Sequence, residues 1–503
     1  MTALLMTAGI LIVAVGIIFS IALHEIGHLL PAKLFKVRVT QYMVGFGPTL
    51  WSTRRGETEY GVKAVPLGGY VAMIGMYPPP EQDGAGREPG GAEDTGVGRE
   101  DPDPGPTDPY LREIGAQYGQ LDQPDQPGQP ASGSGEGETP VRTVSSQSTG
   151  LFQQMSAEAR EGAAEDLRPG DEDRMFFRLP VWKRIIVMLG GPAMNGLIAL
   201  VLTAGMISFH GTAEPNTQVR EVYECVVSAE AADAGQTECS EDDPAAPAYE
   251  AGLRPGDEIV AYGGQEVQDW DELTGLIRDS AGSSTQVEYL RAGERHTTTL
   301  TPILTERPVL DGLGRAERSG DGSLVTEPVG FIGMGAEQEL VQQPVWEAGP
   351  LVWQQSQAVL GVVANLPVRL YDVAVSTFTE AERDPDGPLS VVGVGRIAGE
   401  LSALDEVPLE SRFASLISLI AGVNVALMIF NLIPLLPLDG GHVAGALYEA
   451  LRRRLAKLLG RPDPGPFDIS RLLPLTYVVA ALLLAMGLLL IYADIVNPIR
   501  LFS

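Results

Sequence analysis

Four stretches of this chain carry no charged residue, and each is long enough to cross a lipid bilayer: Ala3–Leu23, Ile185–Phe209, Phe413–Leu438 and Leu472–Ala493. About 20 apolar residues in helical form cover a hydrocarbon core of about 30 Å. Inside that core each helix must pair its own backbone N–H and C=O groups. The four runs are therefore expected to be transmembrane helices. The first ends in His24-Glu25 instead of a small-residue cleavage site and has no basic residue before it, which sets it apart from a signal peptide.

Short flanks rich in Lys and Arg mark the cytoplasmic side. Lys33, Lys36, Arg38, Arg54, Arg55 and Lys63 follow the first run, and Arg174, Arg178, Lys183 and Arg184 precede the second. Arg452, Arg453, Arg454, Lys457, Arg461 and Arg471 separate the third from the fourth. One topology puts all of them inside: both termini extracytoplasmic, with residues 210–412 exported. A net charge of −30 argues against nucleic-acid binding, because a phosphate backbone needs a basic counter-surface. Much of that charge lies between residues 77 and 173, a stretch dense in Pro, Gly, Asp, Glu and Gln. So little apolar surface cannot offset the entropy of ordering, and this cytoplasmic insert is expected to be disordered.

His24-Glu25-Ile26-Gly27-His28 is an H-E-x-x-H motif in a chain with only five histidines. Histidines at i and i+4 share one helix face and can reach a single ion. Two imidazoles and a carboxylate suit one zinc ion with a fourth position open to water, and Glu25 stands beside them as a general base. The third ligand is expected at Asp439, in Asn431-Leu-Ile-Pro434-Leu-Leu-Pro437-Leu-Asp439-Gly440-Gly441-His442. Pro434 and Pro437 break the helix and the glycine pair allows a sharp turn, so Asp439 can project sideways. In the inferred topology both motifs lie at the inner ends of their spans. His442, three residues on, is a rival ligand.

HEIGH in the first span with NLIPLLPLDGG in the third resembles the site-2 protease family, peptidase family M50, in its bacterial, PDZ-containing branch. The resemblance implies His24, His28 and Asp439 as zinc ligands and Glu25 as the residue that activates water. It also implies a supporting role at the substrate or active-site turn for Asn431. Gly45-Phe-Gly-Pro48 and Pro66-Leu-Gly-Gly69-Tyr-Val-Ala-Met73 flank an alternating stretch and resemble the family's membrane-associated β-region, which makes Gly69 a further supporting residue. Gly191-Pro192-Ala-Met-Asn195 resembles a second-span motif whose asparagine sits near the catalytic water; the alternative is an amide satisfying a proline-kinked helix.

In the exported region, Ala251-Gly-Leu-Arg-Pro-Gly-Asp257-Glu-Ile259 resembles a PDZ domain, which would either capture a peptide at a sheet edge or act as a steric filter. Cys225 and Cys239 fall inside it, and their proximity outside the membrane makes them a candidate disulfide. The expected fold is thus an α-helical polytopic membrane protein with four transmembrane helices, a membrane-associated β-hairpin region and an extracytoplasmic PDZ-like domain. The expected boundaries are 1–76, first helix and β-region; 77–173, acidic insert; 174–209, second helix; 210–305, PDZ-like domain; 306–410, linker and interfacial amphipathic helix; 411–503, third and fourth helices. The expected function is intramembrane zinc proteolysis in a bacterial cell membrane. The resemblance implies single-span substrates such as anti-sigma factors or signal-peptide remnants, in regulated intramembrane proteolysis. The alternative is a non-catalytic membrane PDZ adaptor with a structural metal.

Overall fold

The computed structural model describes residues 2–76, 168–233, 235–310, 316–317, 319, 323–379, 383–384, 387–404, 407–467 and 469–499. The acidic insert lies outside them up to residue 167. The chain opens with α1 (Thr2–Leu34), β1 (Val39–Arg55), β2 (Thr58–Met73) and α2 (Val181–Phe209). A β-rich stretch follows: β3 (Thr212–Val222), α3 (Ala229–Asp233), α4 (Pro247–Glu250), β4 (Glu258–Tyr262), β5 (Gln265–Glu266) and α5 (Trp270–Asp279). It continues through β6 (Thr285–Arg291), β7 (Glu294–Leu300), β8 (Ile303–Pro308), β9 (Thr326–Phe331) and β10 (Met334–Val341). The helices α6 (Ala348–Ala364), α7 (Leu366–Phe378), α8 (Val391–Ala403), α9 (Leu409–Asn431), α10 (Asp439–Leu458) and α11 (Leu473–Val496) complete it.

Four helices are long and apolar enough to cross a membrane: Thr2–Leu34, Val181–Phe209, Leu409–Leu432 and Leu473–Val496. Their limits differ from those of the charge-free runs. Helical hydrogen bonding does not stop where charge begins, so α1 continues through the H-E-x-x-H motif, α2 takes in Lys183 and Arg184, and α11 takes in Asp494. The third run ends early. Its helix stops at Asn431 because the two prolines that follow cannot donate to a helix. At the break between α6 and α7 the chain bends by 71°.

The molecule divides into two compact units. The first contains residues 1–198, 362–400 and 423–503. Within it, residues 41–44 of β1 pair on one side with 59–62 and on the other with 69–72, while residues 49–55 pair back on 58–63. Two strands thus supply four hydrogen-bonded segments. The reversals fall at Gly45 and Gly47 (φ 95 and 82) before Pro48, and near Pro66 and Gly68 (φ 143), where backbone conformations favoured by glycine are required. This sheet packs on α1 and α2 through a core that includes Leu29, Val37, Val39, Tyr42, Val44, Phe176 and Val187. The expected disordered insert reached residue 173, but Asp171 is buried in an ion pair with Arg38 and Phe176 enters the core. Order therefore resumes by residue 168.

The second unit contains residues 199–361 and 401–422. Its antiparallel sheet has the order β10-β3-β4-β6-β7, with β5 beside β4 and a separate β8–β9 pair. Helix α5 is capped by Asp269, whose carboxylate accepts from Glu272 N at 2.8 Å. Leu273 and Ile277 from that helix meet Val219, Ile259, Val287, Tyr289, Ile332 and Met334 in the core. The β domain therefore runs past the boundary expected at residue 305, because β10 forms the outer strand against β3. Asp257 is buried against Arg291 at 2.7 Å. The sulfurs of Cys225 and Cys239 are bonded, with their Cα atoms 5.9 Å apart.

Candidate metal centre

All residues of the centre belong to the first unit. His24 and His28 lie one turn apart on α1, and their Nε2 atoms are 3.2 Å from each other. Asp439, the first residue of α10, brings Oδ2 to 3.4 Å from His24 Nε2 and 3.3 Å from His28 Nε2. Three donor atoms from two distant segments therefore form a nearly equilateral triangle. Ligands held about 2.0–2.1 Å from a tetrahedral zinc ion lie about 3.3–3.4 Å from one another. The spacing matches. Asp439 Oδ2 is also a buried oxygen with no hydrogen-bond partner, aimed between two imidazoles. A buried carboxylate oxygen in that state costs free energy unless a cation faces it.

The far side of each imidazole determines which nitrogen faces inward. His28 Nδ1 lies 2.8 Å from the Val187 carbonyl and donates to it, leaving the Nε2 lone pair for the centre. His24 Nδ1 lies 3.1 Å from the amide of Asn195, a fully buried residue on α2. With Nε2 turned inward, Nδ1 carries the proton, and the Asn195 amide oxygen, which has no other partner, is suited to accept it. Asn195 is thus directed at His24 and is not spent on the helix bend at Pro192.

Backbone approach creates the room. A Cβ on Gly191 would lie 2.2 Å from His28 Nε2 and 2.7 Å from His24 Nε2. A Cβ on Gly27 would lie 2.2 Å from the Gly190 carbonyl oxygen, so α1 and α2 cross backbone to backbone beside the histidines. Gly69 does the same for Glu25: a Cβ there would meet Glu25 Cγ at 2.7 Å and Oε1 at 2.9 Å. Glu25 is buried and lies against the β-sheet, outside the triad of mutually close ligand atoms. One turn before His24, Ser20 accepts a 2.9 Å hydrogen bond from Asn424, both buried, which ties α1 to α9.

Asp439 is positioned by the turn that follows α9. Cβ atoms on Gly440 and Gly441 would collide with the backbone of residues 432–433 and 435–436, so the chain folds tightly back on the start of α10. Asn431 closes α9 and makes no hydrogen bond to the centre among the described residues. His442 also stands apart. Its Nδ1 is buried without a partner, and it is not one of the three clustered ligands. Sequence reasoning missed Gly27, Gly190, Gly191, Ser20 and Asn424. Small residues at the crossing of two membrane helices were the available signal for the glycines; the Ser20–Asn424 pair had none.

Residues 12–460 match the profile described as Peptidase family M50. Zinc metalloprotease Rip1 of Mycobacterium tuberculosis is 32% identical over 511 residues, covering 99% of this chain and 100% of that protein. Zinc metalloprotease Rip1 of Mycolicibacterium smegmatis is 30% identical over 512 residues, covering 98% and 99%.

Proposed function

We propose, from the premise that this chain belongs to peptidase family M50, that it is an intramembrane zinc metalloprotease whose zinc is held by His24, His28 and Asp439. The observation that carries the ligand assignment is the 3.2–3.4 Å triangle of Nε2, Nε2 and Oδ2 atoms around a buried oxygen with no other partner. When bound, zinc supplies Lewis acidity to a peptide carbonyl and to water. Glu25 takes the proton from the attacking water and returns it to the leaving amine. Val187 and Asn195 hold the imidazoles with Nε2 facing inward, and Gly191 leaves the space above them open. Asn431 supports the turn that presents Asp439.

The β-region presents an extended segment beside Glu25, at Gly69, where an unwound substrate would lie against the sheet. The second unit reads as a PDZ-like domain: its sheet, the flanking α5 and the outer strand β10 suit a module that admits or captures extended peptide. With the basic flanks inside, that domain is extracytoplasmic, and both termini of this bacterial membrane protein are outside. Substrates are single-span membrane proteins such as anti-sigma factors or signal-peptide remnants. A structural metal in a PDZ adaptor would have no use for Glu25 beside the ligands.

The test is Glu25→Gln in purified full-length protein, with zinc content measured beside cleavage of a tagged single-span substrate. Zinc should stay at the wild-type level while cleavage falls by about 10²–10⁴-fold or more. Retained cleavage would remove Glu25 from the chemistry.

A further inference from the structure

The first unit holds a second polar cavity that the proteolytic reading does not use. It is an open cleft of about 530 Å³ at the C-terminal end of α1, lined by Lys33, Lys36, Arg55, Glu57 and Arg174 over Val37 and Val39. Its carboxylate is already answered: Arg174 grips Glu57 with hydrogen bonds of 2.7 and 2.6 Å and holds that carboxyl below its ordinary range. The Lys33 ammonium rests on the hydroxyl and ring of Tyr60. Among the described residues, Lys36 and Arg55 form no ion pair. The cleft therefore carries uncompensated positive charge.

Lys36 occupies an unusual place. Val37 N bonds Ala32 O at 2.9 Å and Lys36 N bonds Lys33 O at 3.0 Å, which closes α1 with Lys36 in the left-handed position at φ 65. Glycine is favoured there because a Cβ is crowded in that conformation. A cation at a helix C-terminus is favourable in itself, so the cap accounts for one lysine. It does not account for four cations around one cleft. The level of the cleft supplies the second argument, since α1 is an apolar span that ends at Lys33. Phe35 and the exposed Trp182 meet edge to face beside that end, with the Lys183 ammonium over both rings. Aromatic and basic side chains gather in this way where headgroups begin.

We propose that this cleft binds the phosphate headgroup of an anionic phospholipid, with Lys36 and Arg55 as its free cations. The valine floor suits the start of the glycerol and acyl portion, which free phosphate does not have. The site is independent of the metal centre and of the protease assignment.

Full-length protein in a neutral detergent is titrated with dioleoyl phosphatidylglycerol or dioleoyl phosphatidylcholine, and bound lipid is counted by native mass spectrometry. The wild type should favour phosphatidylglycerol by at least about tenfold, since each cation near an anionic headgroup contributes a several-fold factor. Combining Lys36→Gly with Arg55→Gln should erase most of that preference. The glycine relieves the left-handed backbone, so folding is not at stake, and Arg55→Gln alone should give an intermediate loss. Equal retention of the two lipids, or an unchanged preference in the double variant, overturns the proposal. So does displacement of the lipid by an equal concentration of glycerol phosphate, which marks a soluble-phosphate site. Lipid binding that appears only after residues 77–167 are deleted also overturns it, because the occupant is then the chain's own acidic segment.

Discussion

Two buried polar clusters lie in the same unit, and their difference separates a stabilising site from a reactive one. Asp494, near the end of α11, has both oxygens engaged. Oδ1 meets Arg383 at 2.6 Å, and Oδ2 accepts from Ser390 N at 2.7 Å, Ser390 Oγ at 2.5 Å and Gly393 N at 3.2 Å. That carboxylate caps the N-terminus of α8 from another helix, and its charge is matched by a guanidinium. Asp439 is treated differently. One of its buried oxygens has no donor, its neighbours are two imidazoles with lone pairs facing inward, and the wall is a glycine. A saturated cluster holds elements together, whereas an unsaturated one of this shape has a place for a cation.

Removing Asp494 should have the larger structural effect. Asp494→Ala leaves Arg383 buried without its carboxylate, a loss on the order of 3–5 kcal/mol for a buried pair. Thermal denaturation in detergent should shift strongly downward, while the protein that remains folded keeps its zinc. Asn195→Leu reverses that pattern. It removes the acceptor behind His24 and should weaken zinc affinity by about 10–100-fold, with little change in the melting temperature. A competitive chelator titration reads this directly, and unchanged affinity would reduce Asn195 to helix packing. His442→Ala comes last, with a change in zinc affinity below about tenfold. A larger loss would bring His442 into the ligand set.

The four spans and the three clustered residues were legible in the sequence because each depends on a local pattern: unbroken apolarity, an i, i+4 histidine pair, and a Pro/Gly-broken turn before Asp439. The limits of the spans were not, since α1 continues through His24 to Leu34 and α9 stops at Asn431. Charge marks where a helix leaves lipid, and proline marks where it ends. Long-range partners were invisible for another reason. Arg383 and Asp494 stand 111 residues apart, and no periodicity in either segment names the other. The placement of β10 beside β3 is of the same kind, which is why the β domain extends past residue 305. Gly191 was quoted only as part of a motif, because the space it leaves for His28 exists only once α1 and α2 have crossed.

The central claim is that Asp439 completes a metal centre whereas Asp494 completes a structural one. Zinc per folded protein, measured by inductively coupled plasma mass spectrometry on monodisperse full-length material, separates the two most directly. Wild type and Asp494→Ala should each carry one zinc, and Asp439→Ala, left with two imidazoles, should fall far below that. Full zinc in Asp439→Ala, or an equal loss in Asp494→Ala, would contradict the account.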